Sequence, residues 1–439
     1  MIQATIARGL TSWRRWVEPW YLAYGLVGVA AGGVAPIALP LAVSRAGDAR
    51  HVGLVIAAVG LGGLTAPLWG ELADRYRCHR AVFVVGAVVG GLALTGFGVT
   101  TSFPIWLLLA LLVGVSQATA NTIANLFVVD AHPEPEWNAR IGWLQTFYNG
   151  GVAVGLVAVG SVSHLPPDAG LLAGAGAFAV AGLVGWITTR GIVPRPETTR
   201  AAPREPARMR LRRLLKTPAL HALQLPWAQP APLHLAYFPH GAVLARTRRA
   251  LTSPFGLLLL IWLVANVGPY ATYTLYPLLL QGVFGVAPGP SSFALGAATA
   301  LGLALYSPSS VVSHRLGAAR VLQISLGVRL GVYAVLLALA GAAFGERGAL
   351  ALSGFALVAL SYPALSVSST LLTSALTPDD EGEGMGLYTA TTALASLVGA
   401  AAGGWVAAEA GYGATLVVAT ACLAAAVGLS LLLRSRSPS

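Results

Sequence analysis

Long apolar runs recur along this chain and constrain its fold more than any other feature. Twelve of them, separated by short polar segments, raise the mean hydropathy of the 439 residues to +0.72. A run of about 20 apolar residues spans the hydrocarbon core of a bilayer as one helix. Because only helices and closed barrels satisfy their backbone groups in lipid, the pattern predicts an all-α polytopic membrane protein with twelve transmembrane helices.

Charged residues make up only 10% of the chain, and the basic ones are unevenly placed. Residues 190–253 hold twelve of the 27 lysines and arginines. If both termini are cytoplasmic, 23 of the 27 basic residues lie inside, as the positive-inside rule predicts. We therefore expect an integral protein of the bacterial cytoplasmic membrane with cytoplasmic termini. The net charge of +11 then reflects topology, and without a nucleic-acid-binding motif we expect no nucleic-acid partner.

The two halves of the chain repeat one another. The segment SPSSVVSHRLGAAR follows GELADRYRCHR (residues 70–80) at an offset of 240, and three glycines of the first half recur at an offset of 244. These pairs are Gly142 with Gly386, Gly155 with Gly399, and Gly160 with Gly404. Shared features at a nearly constant offset indicate a duplication of six spans. We predict two pseudo-symmetric six-helix bundles, residues 1–190 and 254–439, joined by a basic cytoplasmic linker over 191–253.

The segment GELADRYRCHR lies between the second and third apolar runs. It resembles the Gly-x-Leu-x-Asp-Arg-x-Gly-Arg-Arg motif of the major facilitator superfamily, although Arg77 stands at the glycine position. The resemblance implies two bundles that rock about a central site and open alternately to each side. Weak ion pairs on the cytoplasmic face could then latch one conformation and release it. The predicted gating residues are Gly70, Asp74, Arg75, Arg80, Asp130, Arg315 and Arg320.

Polar side chains form stripes on the spans that line the cavity in this superfamily. Such groups need an internal partner or a watered cavity in a bilayer, and interhelical hydrogen bonding is the alternative for each residue singly. We find no acidic residue in the middle of a span, so we expect a neutral or amphipathic substrate. The predicted cavity residues are Gln117, Asn121, Asn125, Gln145, Tyr148, Asn149, Asn266, Tyr270, Tyr273, Tyr362, Ser366, Tyr388 and Thr391.

These features favour a secondary transporter that exports a small organic molecule. A lipid or glycolipid flippase on the same fold is the alternative, and a sensor that retains the fold is a third. An enzyme is disfavoured because all eight histidines fall in loops or at span edges and no Gly-x-Ser-x-Gly or His-Glu-x-x-His motif occurs. We predict no cofactor and no metal. The expected partners are the substrate, membrane lipid and a coupling proton or sodium ion, and we expect a monomer.

Arg329 is the one cation inside an apolar run. A charged residue within a membrane span is by default a functional candidate. The ninth span is expected at the periphery, however, with no acidic partner in mid-membrane. We therefore expect the Arg329 side chain to snorkel toward an interface.

Overall fold

The computed structural model describes residues 16–133, 136–191, 253–342, 345–377 and 381–434. Within these ranges the chain forms twelve helical spans and no strand, which confirms the predicted fold class. The spans are α1 (Tyr21–Val43), α2 (Ala49–Gly63 and Ala66–Tyr76), α3 (His79–Val99), α4 (Phe103–Ala131), α5 (Trp137–Ser161), α6 (Pro167–Thr188), α7 (Pro254–Thr274 and Tyr276–Phe284), α8 (Pro288–Leu316), α9 (Ala318–Ala340), α10 (Arg347–Leu376), α11 (Glu381–Ala410) and α12 (Ala414–Arg434). The predicted linker lies outside the described residues, apart from its two ends.

The helix ends follow local sequence rules. Pro167, Pro254 and Pro288 begin α6, α7 and α8, where proline supplies a helical φ angle and needs no amide donor. Asp48 caps α2 by accepting hydrogen bonds from the backbone amides of Arg50 and His51. Arg77 ends α2 in the left-handed conformation, with φ 50° and ψ 37°. The motif turn therefore forms with arginine in the glycine position, at a cost of about 1–2 kcal/mol.

One glycine pair of the repeat, Gly155 and Gly399, marks the same helix contact in both halves. A Cβ atom on Gly155 of α5 would lie 2.3 Å from the carbonyl oxygen of Val29 in α1. A Cβ atom on Gly399 of α11 would lie 2.5 Å from the carbonyl oxygen of Val267 in α7. Small residues let membrane helices pack backbone against backbone. This pair thus marks a fifth helix packed on a first helix in each bundle, whereas Gly160 and Gly404 meet helices of the opposite bundle.

The two bundles meet through α2 with α11 and through α5 with α8. We call the face that carries the α2–α3, α4–α5, α8–α9 and α10–α11 connections the motif face, and the opposite face the far face. The close contacts lie in the far-face half, where Gly53 packs on Gly404 and Gly160 on Gly289. Toward the motif face, a crevice of about 350 Å³ separates α2 from α7 and α11. The far face is therefore the closed one.

Candidate functional site

Two aromatic residues and the polar stripe of α4 form a cluster in the N-terminal bundle. The rings of Tyr24 and Tyr148 lie 4.9 Å apart at an interplanar angle of 31°. The Tyr24 hydroxyl donates to Oδ1 of Asn121 over 2.7 Å, and Nε2 of Gln117 donates to the Tyr148 hydroxyl over 2.8 Å. Nδ2 of Asn125 donates to the Asn121 carbonyl over 2.7 Å. We call these five residues the N cluster.

A second cluster occupies the same place in the C-terminal bundle. The rings of Trp262 and Tyr388 lie 4.8 Å apart at an interplanar angle of 31°. Nε1 of Trp262 donates to Oγ1 of Thr392, and the Tyr388 hydroxyl hydrogen-bonds Oγ of Ser369 over 2.8 Å. Nδ2 of Asn266 donates to the Trp262 carbonyl over 2.8 Å. We call these five residues the C cluster.

The two clusters are related by the internal repeat. Tyr24 and Trp262 lie on the first helix of each bundle, and Tyr148 and Tyr388 lie on the fifth. Each pair is within two residues of the 240-residue offset. Stripes of amides and hydroxyls did not indicate Tyr24 and Trp262, because neither residue belongs to such a stripe. The repeat offset, applied to aromatic residues, pairs Trp262 within two residues with each of Trp20, Tyr21 and Tyr24 and therefore does not single out Tyr24.

The other predicted cavity residues divide between the clusters, the crevice and the protein core. Gln145 and Asn149 are buried on α5 beside the N cluster, and Asn149 donates to the Gln145 carbonyl. Thr391 lines the crevice. Tyr273 packs against Phe355 of α10 and donates to its carbonyl over 3.3 Å, so it belongs to the bundle core.

Tyr270, Tyr362 and Ser366 lie deeper in the C-terminal bundle. The Tyr362 hydroxyl hydrogen-bonds Ser366, and Tyr270 and Tyr388 lie in the vicinity of Tyr362. Among the described residues, no group of three or more His, Cys, Asp or Glu side chains could hold a metal ion. The site is thus built from amides, hydroxyls and aromatic rings.

On the motif face, two charged contacts of the described residues lie within the N-terminal bundle. Nε2 of His79 lies 3.6 Å from Oδ2 of Asp130, and Nη1 of Arg140 lies 2.9 Å from Oε1 of Glu18. Arg80 donates to the Trp186 carbonyl over 2.8 Å.

The remaining predicted gating residues have varied surroundings. The side chains of Arg75, Arg315 and Arg320 are exposed. A Cβ atom on Gly70 of α2 would lie 3.2 Å from Cγ2 of Thr122 in α4. Asp74 lies in α2, and its side chain is outside the described part of the chain. The gating role of the set stays a prediction.

A charged contact joins the bundles on the far face, where the sequence did not indicate one. Arg50 of α2 forms an ion pair with Glu409 of α11, and its guanidinium lies 4.8 Å from the centre of the Trp405 ring. Burial would raise the pKa of nearby Asp48, but hydrogen bonds from His51 and Arg50 hold that pKa below its ordinary value. Because the Arg50 and Glu409 side chains are 38% and 57% exposed, the pair contributes only about 0.2–1 kcal/mol to closure.

The expectation that Arg329 snorkels toward an interface is wrong. The residue is 0% exposed, because its side of α9 packs against α10. Its Nε donates to Oγ of Ser361 over 3.2 Å, and its Nη2 donates to the Val358 carbonyl over 3.3 Å. The guanidinium lies 5.5 Å from the centre of the Tyr362 ring. A charge is therefore enclosed inside the C-terminal bundle.

Comparisons with known proteins agree with this architecture. The sequence profile of the Major Facilitator Superfamily matches residues 20–371, whereas no curated protein matches the chain. The nucleoside transporter NupG has a similar fold, with a TM-score of 0.69, 14% identity and coverage of 95% of this chain and 98% of NupG. An inward-facing, unoccupied bacterial homolog of the human lysosomal transporter Spinster has a TM-score of 0.66 and 16% identity, with coverage of 96% of this chain and 98% of that homolog. An inward-facing bacterial homologue of the iron transporter ferroportin has a TM-score of 0.66 and 14% identity, with coverage of 95% of this chain and 98% of that homologue. At these identities the likeness concerns the fold alone.

Proposed function

The chain belongs to the major facilitator superfamily and is thus an integral membrane secondary transporter, and we propose that it exports a small neutral or amphipathic organic molecule. The observation that supports this proposal is the pair of matching clusters, one in each bundle. Aromatic rings offer flat apolar surfaces, while the amides of Asn121 and Asn266 offer hydrogen bonds. Asn121 and Asn125 are partly exposed, so the N cluster has polar groups that a substrate could reach.

Transport would proceed by rocking of the two bundles about the clusters. The far face is closed by the contact of Gly53 with Gly404 and by the ion pair of Arg50 with Glu409. In the opposite state these contacts would separate, and the motif face would close instead. We assign the latch of that second state to the predicted gating residues, with Asp74 at its centre. This proposal includes coupling to a proton or a sodium ion. It includes no catalytic step.

Substitutions in the two clusters test the site. Removing one neutral hydrogen bond in Asn266→Ala should weaken substrate binding by about 0.5–1.5 kcal/mol. Tyr148→Leu removes one ring of the aromatic pair. Loss of the aromatic contact should weaken binding by about 0.5–1.5 kcal/mol, in addition to the effect of the lost apolar contact area. A thermal-shift screen of the purified protein identifies a ligand, whose affinity is then measured in each variant and in Ser325→Ala, a buried α9 residue outside both clusters. Unchanged affinity in both cluster variants, or a dication as the best ligand, would refute the site.

A lipid flippase is the second candidate, and the crevice favours it. The crevice lies between the bundles and is lined almost entirely by apolar side chains, among them Leu61, Leu259 and Leu394. An opening of this kind could admit an acyl chain from the side. A translocation assay in proteoliposomes, with either the screened ligand or a fluorescent phospholipid, distinguishes the two candidate functions. Translocation of the phospholipid without ligand transport would favour the flippase.

Export from the cell requires the orientation predicted from the basic residues. Single cysteines at Arg200→Cys and His240→Cys, in a background lacking Cys78 and Cys422, should resist an impermeant thiol reagent in intact cells. In the predicted topology, both positions fall on the side that holds 23 of 27 basic residues, which is the cytoplasmic side by the positive-inside rule. Arg45→Cys on the exposed far face is the matched control and should label readily. Rapid labelling at positions 200 and 240 would show that the predicted topology is wrong.

A further inference from the structure

Arg329 carries a charge that nothing in its described surroundings balances. Its contacts are a hydroxyl, a backbone carbonyl and the face of the Tyr362 ring. Nη1 of the guanidinium is buried and has no hydrogen-bond partner. In the described part of the chain, no carboxylate forms an ion pair with this residue.

An arginine cannot escape this situation by losing its proton, because guanidinium stays protonated in proteins. Burial of an unpaired charge is costly, and the two hydrogen bonds, at 3.2 and 3.3 Å, are at or beyond the long end of the usual range. The same low dielectric that makes the charge costly strengthens its attraction for an anion. A ligand with an acidic group would therefore gain more here than at an exposed arginine.

The residue lies in the same bundle as the C cluster. Its guanidinium lies 5.5 Å from the centre of the Tyr362 ring, and Tyr270 of α7 and Tyr388 of the C cluster lie in the vicinity of Tyr362. The positive charge is thus enclosed in the part of the bundle that surrounds Tyr362. Every other arginine in the described spans lies within the first or last four residues of its helix, whereas Arg329 lies in the middle of α9.

We propose that Arg329 is the counter-charge for an acidic group on the transported molecule, either a carboxylate or a phosphate. The apolar body of the molecule would lie between the two aromatic pairs, and its anionic oxygens would point toward the guanidinium. This inference rests on the proposed function and narrows its substrate class to amphipathic organic anions. It also gives a physical reason for the exclusion of dications, which the buried charge would repel.

A matched pair of probes tests the proposal without knowledge of the natural substrate. The purified full-length protein is titrated with 1-naphthoate and with 1-naphthamide, which has the same ring system without the charge. We expect wild type to bind 1-naphthoate about tenfold more tightly or better, as a charge-assisted contact is stronger than a neutral one. Arg329→Gln keeps a hydrogen-bond donor for Ser361 and Val358, and it should lose the preference while binding 1-naphthamide as before.

Arg347→Gln is the matched control, because it removes a partly exposed arginine from the start of α10, in the same bundle but outside both clusters and the predicted gating set. It should keep the full preference, and Arg329→Lys, which retains the charge, should keep part of it if Arg329→Gln proves too unstable to purify. Equal binding of the two probes by wild type, absence of binding by both, or an unchanged preference in Arg329→Gln overturns the proposal. Displacement of 1-naphthoate by an equal concentration of sodium acetate would also overturn it, because the site would then hold a free anion.

Failure of this inference can be told from failure of the proposed function. If the protein transports neutral organic molecules in proteoliposomes without an anion preference, the proposed transport function stands and the proposed role of Arg329 is wrong. If the protein shows an anion preference that depends on Arg329 but transports no organic molecule, the anion site stands and the proposed transport function is wrong.

Discussion

A Gly404→Val variant is expected to fold and to bind substrate but to lose most of its transport. A Cβ atom at position 404 would lie 2.6 Å from the Ala49 carbonyl oxygen and 2.7 Å from the Cα atom of Gly53. Both belong to α2 in the other bundle, so the added side chain obstructs only the closed far face. Overpacking of this kind costs about 1–3 kcal/mol, which shifts the balance away from the far-closed state by about 5- to 150-fold.

Accessibility of the far face measures that shift. Ser292 is buried in the α5–α8 contact, so Ser292→Cys, in a background without the two native cysteines, should react slowly with an impermeant thiol reagent. In combination with Gly404→Val it should react much faster, while substrate transport in proteoliposomes falls. Gly327→Val is the control, because a Cβ atom at that glycine would meet no neighbouring helix of the described chain within 4 Å. Normal transport by Gly404→Val would show that the α2–α11 contact does not gate the far face.

Much of the fold could be predicted from the sequence because its determinants are periodic. Each apolar run is long enough for one span, so the number of runs gives the number of spans. The repeated glycines Gly155 and Gly399 make the same backbone contact in each half. Local rules also place the helix starts, as at Pro167 and Pro254. These two signals act within one helix or between helices of one bundle, whereas the third repeated pair, Gly160 and Gly404, lies at the contacts between the bundles.

The conformational state could not be predicted in this way. It depends on contacts between residues that the repeat does not relate, such as the ion pair of Arg50 with Glu409, 359 residues apart. The sequence indicated charged pairs on the motif face, because the acidic and basic residues concentrate there. Which face is closed is decided by small differences between two sets of contacts, and composition does not rank them.

From the sequence, we could single out polar residues of the two clusters and one ring of each aromatic pair, Tyr148 and Tyr388, but not the other ring. Hydrophilic residues stand out in an apolar run, so Gln117, Asn121 and Asn266 could be recognised. Tyr24 and Trp262 could not be recognised by that criterion, because aromatic residues are ordinary in membrane spans. Arg329 was recognised but wrongly placed: an almost wholly apolar helix gives no signal of which side packs on a neighbour, and α9 turns this residue toward α10.

Gly403→Val should have the opposite outcome from its neighbour and destabilise the fold itself. A Cβ atom at position 403 would lie 2.6 Å from the Ala271 carbonyl oxygen and 2.7 Å from the Ala271 Cα atom. Ala271 lies on α7, in the same bundle, and this contact is present whichever face of the protein is closed. Rocking cannot relieve the overlap, so α11 must move away from α7. The displacement also separates Tyr388 from Trp262, whose rings now lie 4.8 Å apart.

The expected loss of stability is about 2–3 kcal/mol, or a fall in the thermal unfolding midpoint of about 5–10 °C for a unit of this size. Unfolding of the purified variants, followed by tryptophan fluorescence, compares Gly403→Val with Gly404→Val and wild type. Gly404→Val should unfold near the wild-type temperature, because its overlap disappears when the far face opens. If both variants lose the same stability, or if only Gly404→Val does, the assignment of one glycine to the bundle interior and the other to the gate is wrong. One residue of displacement along α11 thus separates a defect in folding from a defect in the transport cycle.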